Sequence, residues 1–331
     1  FKQKTAYEIR LSLVGSEMCI RDRLVIDPVN FKWSTFIGGT TLNQYIYDIA
    51  VDAAGYVYGT GYAGSTFPIT TGVFLTTGGN YADIFVFKMN PAGNTLVYST
   101  FVGGNNVDYG NGIVVNSAGE AFVTGQTWSV NGTYPVTAGA YDVTPSGSID
   151  GLAFKLNAVG NALLYSTFLG GNGLDYGYGI AVNPADEVYI TGSTWYNAVA
   201  NFPTTAGAFQ ATHGGSLDGF VCKLNSTGSS LIYSTLIGGT GADDSNEIDI
   251  NSNGEAFITG YSASSNFPTT SGVFDTSYNG GGNGNDVIVV KLNASGSALI
   301  YSTYVGGAMH TDQGYGISVN SSDEAFVTGF T

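Results

Sequence analysis

Residues 165–171 read Tyr-Ser-Thr-Phe-Leu-Gly-Gly, and this short run decides the fold because it recurs along the whole chain. An aromatic residue, Ser-Thr, an apolar pair and Gly-Gly follow one another from Trp33, Tyr98, Tyr165, Tyr233 and Tyr301. The successive spacings are 65, 67, 68 and 68 residues. A self-similar period of this length predicts a fold assembled from one repeated structural unit.

Each complete unit predicts four short strands, which we call A to D. In one unit these strands are 178–183, 187–192, 218–225 and 230–236. The runs are rich in aromatic and β-branched residues and are bounded by Gly, Asn and Pro. The A–B and C–D links have the form Asn-x-x-Gly, which suits a short hairpin turn, and Asp186 and Asp323 replace the Gly in two units.

Four antiparallel strands per unit, with no helical periodicity, predict an all-β fold: a β-propeller of four-stranded antiparallel blades. The complete blades are predicted at 46–102, 112–169, 179–237 and 247–305. Partial blades are predicted at 31–37 and 315–331, within a propeller that occupies 24–331. Because both outer units lack strands, we expect the chain to be an incomplete propeller.

The combined motifs resemble the SBBP repeat, a family named for a seven-bladed β-propeller. The matching runs are 165–171, 179–183, 202–209 and 218–225. The resemblance extends over 31–331, and the hairpin at 49–55 is also similar, more weakly, to NHL-type blades. The resemblance implies a bacterial protein that is secreted or displayed at the cell surface, in a family mostly without an assigned activity.

The first 23 residues share no feature with the repeat. Residues 12–23 resemble translated sequencing-adaptor readthrough, and Gly15 and Glu17 interrupt the apolar run that a signal peptide would need. We therefore expect residues 1–23 to be a non-native leader without structure. Any export signal would then lie upstream of this sequence.

Composition excludes several classes of function. The chain has 331 residues, with 25 acidic and 10 basic side chains and a net charge of −15. It lacks the basic surface that nucleic-acid binding requires, so we expect no nucleic-acid partner. Its 43% hydrophobic residues argue against disorder, and no apolar run is long enough to predict a membrane span.

The long B–C links and the D–A links are predicted to share one face, because successive loops of a meander alternate between the two ends of the strands. Each B–C link contains an aromatic residue followed by Pro, at Phe67, Tyr134, Phe202 and Phe267. Two interpretations are open. The aromatics pack over the blade as a structural plug, or Tyr134, Phe202 and Phe267, with Asp244, present a surface to a glycan or protein ligand.

An acid recurs five residues before the apolar Ile of strand A. These acids are Asp108, Asp175, Asp243 and Asp312. A ring of them at the channel mouth could bind Ca²⁺, which takes six to eight oxygen ligands. The alternative is that each acid caps its own turn. No other cofactor is predicted.

A second acid opens strand C, and a Lys follows it five residues later in every complete unit. The acids are Asp83, Asp150, Asp218 and Asp286, and the lysines are Lys88, Lys155, Lys223 and Lys291. This repetition predicts ion pairs or hydrogen bonds between blades. The Lys stems are expected to lie on aromatic surface.

Blade four departs from the repeat because it carries four acids within seven residues: Asp243, Asp244, Glu247 and Asp249. Glu247 and Asp249 lie two apart on a strand and would share one face. They could bind a cation or form an acid/base pair with split pKa values. The alternative is a solvated acidic edge.

These features predict a non-enzymatic, extracellular binding or adhesion scaffold. Its ligand is expected on the face that bears the long B–C and D–A loops. The alternative is a polysaccharide lyase or glycosidase that uses Glu247 and Asp249. His213 and His310 show no metal-ligand spacing and are interpreted as ordinary loop residues.

Overall fold

The computed structural model describes residues 32–40, 44–79, 81–129, 132–197, 202–281, 284–308 and 310–331. The predicted leader, residues 1–23, lies outside the described residues. The regular structure of the described residues is β-strand throughout, within the compact unit Thr35–Thr331. No helix among these residues could cross a membrane.

The strands fall into four complete blades and one further pair. Blade one contains β1 (Tyr45–Val51), β2 (Val57–Ala63), β3 (Asp83–Met89) and β4 (Leu96–Val102). Blade two contains β5 (Asp108–Val115), β6 (Ala121–Thr127), β7 (Asp150–Leu156) and β8 (Leu163–Leu169). Blade three contains β9 (Asp175–Val182), β10 (Val188–Trp195), β11 (Leu217–Leu224) and β12 (Leu231–Ile237). Blade four contains β13 (Asp243–Ile250), β14 (Ala256–Ser262), β15 (Asp286–Leu292) and β16 (Leu299–Val305), and β17 (Gln313–Val319) and β18 (Ala325–Phe330) form the last sheet.

Each blade is an antiparallel meander in chain order, so the all-β fold with four-stranded blades is confirmed. The chain is an all-β propeller built from these blades. The predicted lone strand at 31–37 differs, since its described residues, 32–37, form no strand. A strand needs a neighbour to complete its hydrogen bonds, and none of the described strands pairs with this segment.

Strand A of blades two to four begins three or four residues earlier than the sequence predicts. A β-bulge near the middle of each strand shifts the register, as between Gly110 and Gly112 in β5. The pairing then continues past the bulge toward the D–A loop. As a result Asp108, Asp175 and Asp243 are the first residues of β5, β9 and β13, and do not belong to the loop.

The blades are joined by close contact of backbone and aromatic side chains. Tyr98, the first residue of the repeated anchor, is 1% exposed, and its ring lies directly beneath Gly160 of the next blade. Gly160 has a φ of 72°, a conformation that suits Gly, and a Cβ there would collide with the Tyr98 ring. Burying each such aromatic ring contributes roughly 1.5 to 3 kcal/mol.

Candidate functional site

The strands of every blade end on two faces with different chemistry. We call the end formed by the D–A and B–C connections, such as 103–107 and 128–149 in blade two, the loop face. The opposite end, formed by the A–B and C–D turns such as 116–120 and 157–160, is the turn face. Strand A lines the inside of the propeller and runs from the loop face to the turn face.

The aromatic residues of the B–C loops are buried, which corrects the interpretation of Tyr134, Phe202 and Phe267 as ligand-facing. The ring centroid of Phe202 lies 4.1 Å from that of Phe220, and Tyr134 and Phe267 contact Phe168 and Tyr304. All three are at most 4% exposed. Packing on the side chains of the strands removes the apolar surface of these rings from water, so the rings pack over the blade as the plug interpretation expects.

A different aromatic group is accessible at the loop face. We call it the tyrosine cluster; it consists of Tyr45, Tyr47, Tyr62, Tyr109 and Trp128. The ring centroids of Tyr62 and Tyr109 lie 4.5 Å apart, and those of Tyr109 and Trp128 lie 5.2 Å apart. Tyr45 and Tyr47 are 46% and 51% exposed. The sequence signal for this cluster was the aromatic residue at the start of strand A, next to the position of the repeated acid.

Asp244 occupies the position in blade four that Tyr109 holds in blade two, one residue after the repeated acid. It is opposite Tyr261 in the β13–β14 pair and is 8% exposed. Burial raises the pKa of Asp244 to about 6, and the hydroxyls of Ser193 and Tyr261 limit the rise. Asp244 is therefore a buried acid at the inner side of the loop face, surrounded by hydroxyl groups.

The four acids predicted as a Ca²⁺ ring each bind their own D–A turn. One carboxylate oxygen accepts the backbone N–H of a preceding glycine, with distances of 2.7 Å for Asp108, 2.8 Å for Asp175, 2.6 Å for Asp243 and 3.0 Å for Asp312. This geometry matches the capping interpretation. Within the part of the chain that the structure describes, no three Asp, Glu, His or Cys side chains converge as metal ligands.

Each of these acids instead lies beside the acid that opens strand C of the preceding blade. We call these groups the carboxyl pairs: Asp83 with Asp108, Asp150 with Asp175, Asp218 with Asp243, and Asp286 with Asp312. A Cβ on Gly103 would stand within 3 Å of an oxygen of both Asp83 and Asp108, and Gly306 has the same relation to the last pair. All eight acids are at most 2% exposed.

Burial changes the titration of several acids in the carboxyl pairs. Desolvation raises the pKa of Asp83 to about 6 and the pKa values of Asp108, Asp150 and Asp175 to about 7. The negative charge of the partner adds to this effect for Asp108 and Asp150. The strand-C acids begin their strands at the loop face, whereas the repeated lysines lie near the other end of the same strands, so the contacts predicted between blades do not pair these acids with these lysines.

Three of the repeated lysines, Lys155, Lys223 and Lys291, bind acids of the turn face. Lys155 Nζ lies 2.6 Å from Glu120 of its own blade and 2.8 Å from Asp186 of the next blade. Lys291 binds Glu255 and Asp323 in the same way, at 2.7 and 3.1 Å. Lys155 Nζ also stands 4.8 Å from the centre of the Phe122 ring. Lys155 and Lys291 therefore join blades and lie on aromatic surface, with turn acids as their partners.

The inner strands line an open cavity of about 410 Å³ toward the turn face, with Asp48, Glu247 and Asp249 among apolar residues of β1, β5, β9 and β13. Desolvation, together with the charges of Asp48 and Asp249, raises the pKa of Glu247 to about 8. Asp48 and Asp249 each accept a backbone N–H from the following blade, from Ile113 and Val319, both at 2.8 Å. Glu247 can hold a proton at neutral pH, while its neighbours form bonds between blades.

Strand geometry divides the acids of blade four between the two faces. Asp243 and Asp244 begin β13 at the loop face, whereas Asp249 is next to its last residue, at the turn face. Five residues of strand separate Asp244 from Asp249 by about 16 Å. Sequence reasoning missed Asp48, because the corresponding residue in blades two and three is Gly.

Comparison with known proteins supports the fold. Residues 232–268 match the family model of the SBBP beta-propeller repeat, which confirms the resemblance for this repeat. No curated protein matches the chain.

Among solved structures, the chain is similar to the gluconolactonase XC5397 from Xanthomonas campestris, at 12% identity and a TM-score of 0.40, over 86% of this chain and 69% of that one. It is also similar to the Hadza microbial sialidase Hz136, at 10% identity and a TM-score of 0.42, over 82% of this chain and 48% of that one. A quinohemoprotein alcohol dehydrogenase from Pseudomonas putida HK5 is similar at 10% identity and a TM-score of 0.35, over 85% of this chain and 43% of that one. These likenesses carry no implication for a reaction or a ligand.

Proposed function

We propose that this protein is a non-enzymatic extracellular propeller module that binds glycans at the loop face. The observation that carries the proposal is the tyrosine cluster, a partly exposed group of aromatic rings at the loop face. A tyrosine ring offers an apolar face and a polar hydroxyl, a combination that suits the apolar face and hydroxyl groups of a sugar. The extracellular location rests on the resemblance to the SBBP repeat.

The test is a glycan array followed by calorimetry on the full chain. Tyr47→Ala is expected to weaken glycan binding at least about tenfold, which corresponds to about 1.4 kcal/mol. Tyr81→Ala is the matched control, because Tyr81 is exposed to a similar degree, 55% against 51%, and lies outside the cluster. If Tyr47→Ala binds every glycan as well as the unchanged chain, or if only proteins bind, the proposal is wrong.

A glycosidase or polysaccharide lyase is the second candidate function. It is favoured by Glu247, which carries a raised pKa of about 8 next to Asp48 and Asp249, as a general acid would. Against it, Asp48 and Asp249 are occupied by backbone N–H groups. Turnover of the bound glycans that disappears in Glu247→Gln, while Tyr47→Ala only weakens substrate binding, would replace the scaffold proposal with the enzyme.

A further inference from the structure

The carboxyl pairs contain oxygens that no other group satisfies. Five of their eight acids have an Oδ1 atom that is closed to solvent and accepts no hydrogen bond. These acids are Asp83, Asp150, Asp175, Asp286 and Asp312. They belong to the first, second and fourth blade interfaces, where the fourth is the one between blade four and the β17–β18 sheet. A buried carboxylate oxygen without a donor is costly, so each pair needs a positive charge or a proton.

Among the described residues, no lysine or arginine forms an ion pair with these acids, and His310 lies two residues before Asp312 in the D–A loop of the fourth interface. The other oxygen of Asp83 accepts the N–H of Gly79, and Asp108 also accepts the hydroxyls of Thr127 and Ser129. The titratable groups that face the three pairs are acids and tyrosines: Tyr134 at the first, Asp142 and Tyr176 at the second, and Asp275, Tyr278 and Tyr304 at the fourth. The ion pairs that the structure describes for lysines lie on the turn face.

Two buried carboxylates without a counter-ion cannot both ionise at low cost, and one proton between them removes the conflict. The O–H of one carboxyl then donates to the free oxygen of the other. A metal ion fits less well, because the unpartnered oxygens are closed to water and no third acidic, His or Cys ligand converges on them among the described residues. Desolvation and the partner's charge already raise the pKa values at the first and second interfaces.

We propose that the first, second and fourth blade interfaces each hold one proton shared between two aspartates at and slightly below neutral pH, so that mild acid strengthens the contact between blades. The shared proton would lie between the acid that opens strand C of one blade and the repeated acid that precedes or begins strand A of the next blade. Ionisation of the second carboxyl would place two negative charges inside each interface.

The third interface provides an internal control, because the protein itself satisfies its acids. Asp218 accepts N–H groups from Gly214 at 2.7 Å, Gly215 at 3.2 Å and the Gln210 amide at 3.1 Å. Asp243 accepts the hydroxyls of Ser262 and Ser264 in addition to its glycine N–H. His213 Nδ1 lies 3.6 Å from Asp218.

The direct test is infrared spectroscopy of the full chain with isotope-labelled aspartate, at pH 6 and at pH 9, without metal ions. We expect absorption from protonated carboxyl groups at pH 6 that disappears at pH 9. Asp83→Asn and Asp150→Asn should each remove the contribution of one of the three protons, because the new amide donates to the remaining acid. Asp218→Asn should leave the absorption unchanged.

Unfolding measurements form the second arm. Each shared proton should change the unfolding equilibrium constant by up to about tenfold per pH unit between about pH 5 and 7, and Asp83→Asn should reduce this dependence. If Asp83→Asn does not fold, Asp150→Asn makes the same test at the second interface. The proposal fails if protonated carboxyl absorption is absent at pH 6 or unchanged in both variants. It also fails if calcium, and not acid, stabilises the chain and Asp83→Asn abolishes that effect.

Discussion

The carboxyl pairs of the loop face and the lysine-bound acids of the turn face use the same chemical group, with opposite electrostatic results. At the turn face, hydrogen bonds from Lys223 and Lys291 lower the pKa values of Glu187 and Glu255. At the loop face, acids meet acids inside the blade interfaces, and desolvation raises their pKa values. The group that an acid contacts therefore decides how it titrates, and the lysine-bound acids and the carboxyl pairs respond to pH in opposite directions.

The largest expected effect is a stability maximum in mild acid. An acid with a raised pKa stabilises the fold below its unfolded value, about 3.9 for Asp, and loses this contribution as pH rises through its folded value near 7. For Asp108, whose pKa rises from 3.8 to about 7, the difference corresponds to at most about 4 kcal/mol. The lysine-bound acids of the turn face behave in reverse, and their contribution is lost below about pH 4.3.

Urea unfolding from pH 3 to pH 9 measures this balance. We expect the free energy of unfolding to be highest near pH 5, to fall toward pH 8 as the loop face ionises, and to fall again below pH 4 as the turn face is neutralised. A stability curve that is level between pH 5 and pH 8 would show that the two faces do not differ in this way.

The next largest effect concerns one lysine of the turn face. Lys155→Met should destabilise the chain by about 1 to 3 kcal/mol, because Glu120 and Asp186 lose their partner in a partly buried site. Lys88→Met is the matched control, since the described contacts of Lys88 Nζ are the rings of Tyr56 and Tyr58 at 4.5 and 4.9 Å. Thermal unfolding at pH 7 compares the two variants, and equal losses would contradict the importance of the ion pairs.

The sequence predicted the blades well because each signal for them is local. The Asn-x-x-Gly turns and the aromatic-Ser-Thr anchors lie within or beside the strands that they define, and the structure confirms the A-to-D order. The start of strand A was misplaced, because the bulge between Gly110 and Gly112 interrupts the alternation that indicates a strand. Burial decided the role of Phe202, which composition alone left open.

The carboxyl pairs could not be predicted because their members come from different blades. Asp83 and Asp108 are 25 residues apart, and only the rotation between blades brings them together. A fixed spacing of 25 or 26 residues recurs in all four pairs, but spacing alone does not reveal contact. The tyrosine cluster was missed for the same reason, since Tyr62 and Tyr109 belong to neighbouring blades.

Two alternative arrangements of the turn face are visible within this one chain. Where the A–B turn has Asp, the ring below the lysine of the preceding blade is Phe, as in Asp186 with Phe122 and Asp323 with Phe257. Where the turn has Gly, the ring is Tyr, as in Gly254 with Tyr189. The Tyr189 hydroxyl lies only 2.9 Å from the point that a Cβ on Gly254 would occupy, so the hydroxyl and an Asp side chain compete for one space.

The smallest expected effect is a coupling between these two positions. Gly254→Asp alone should destabilise the chain, because the new side chain meets the Tyr189 hydroxyl. The double variant Tyr189→Phe with Gly254→Asp should recover stability, because Asp can then reach Lys223 as Asp186 reaches Lys155. A double-mutant cycle by urea unfolding should give a coupling of about 1 kcal/mol. Asp186 already adopts this turn conformation with a φ of 62°, so backbone strain alone does not explain a loss of stability in Gly254→Asp. Additive effects of the two substitutions would show that the Tyr189 hydroxyl and the Asp side chain do not compete for the same space.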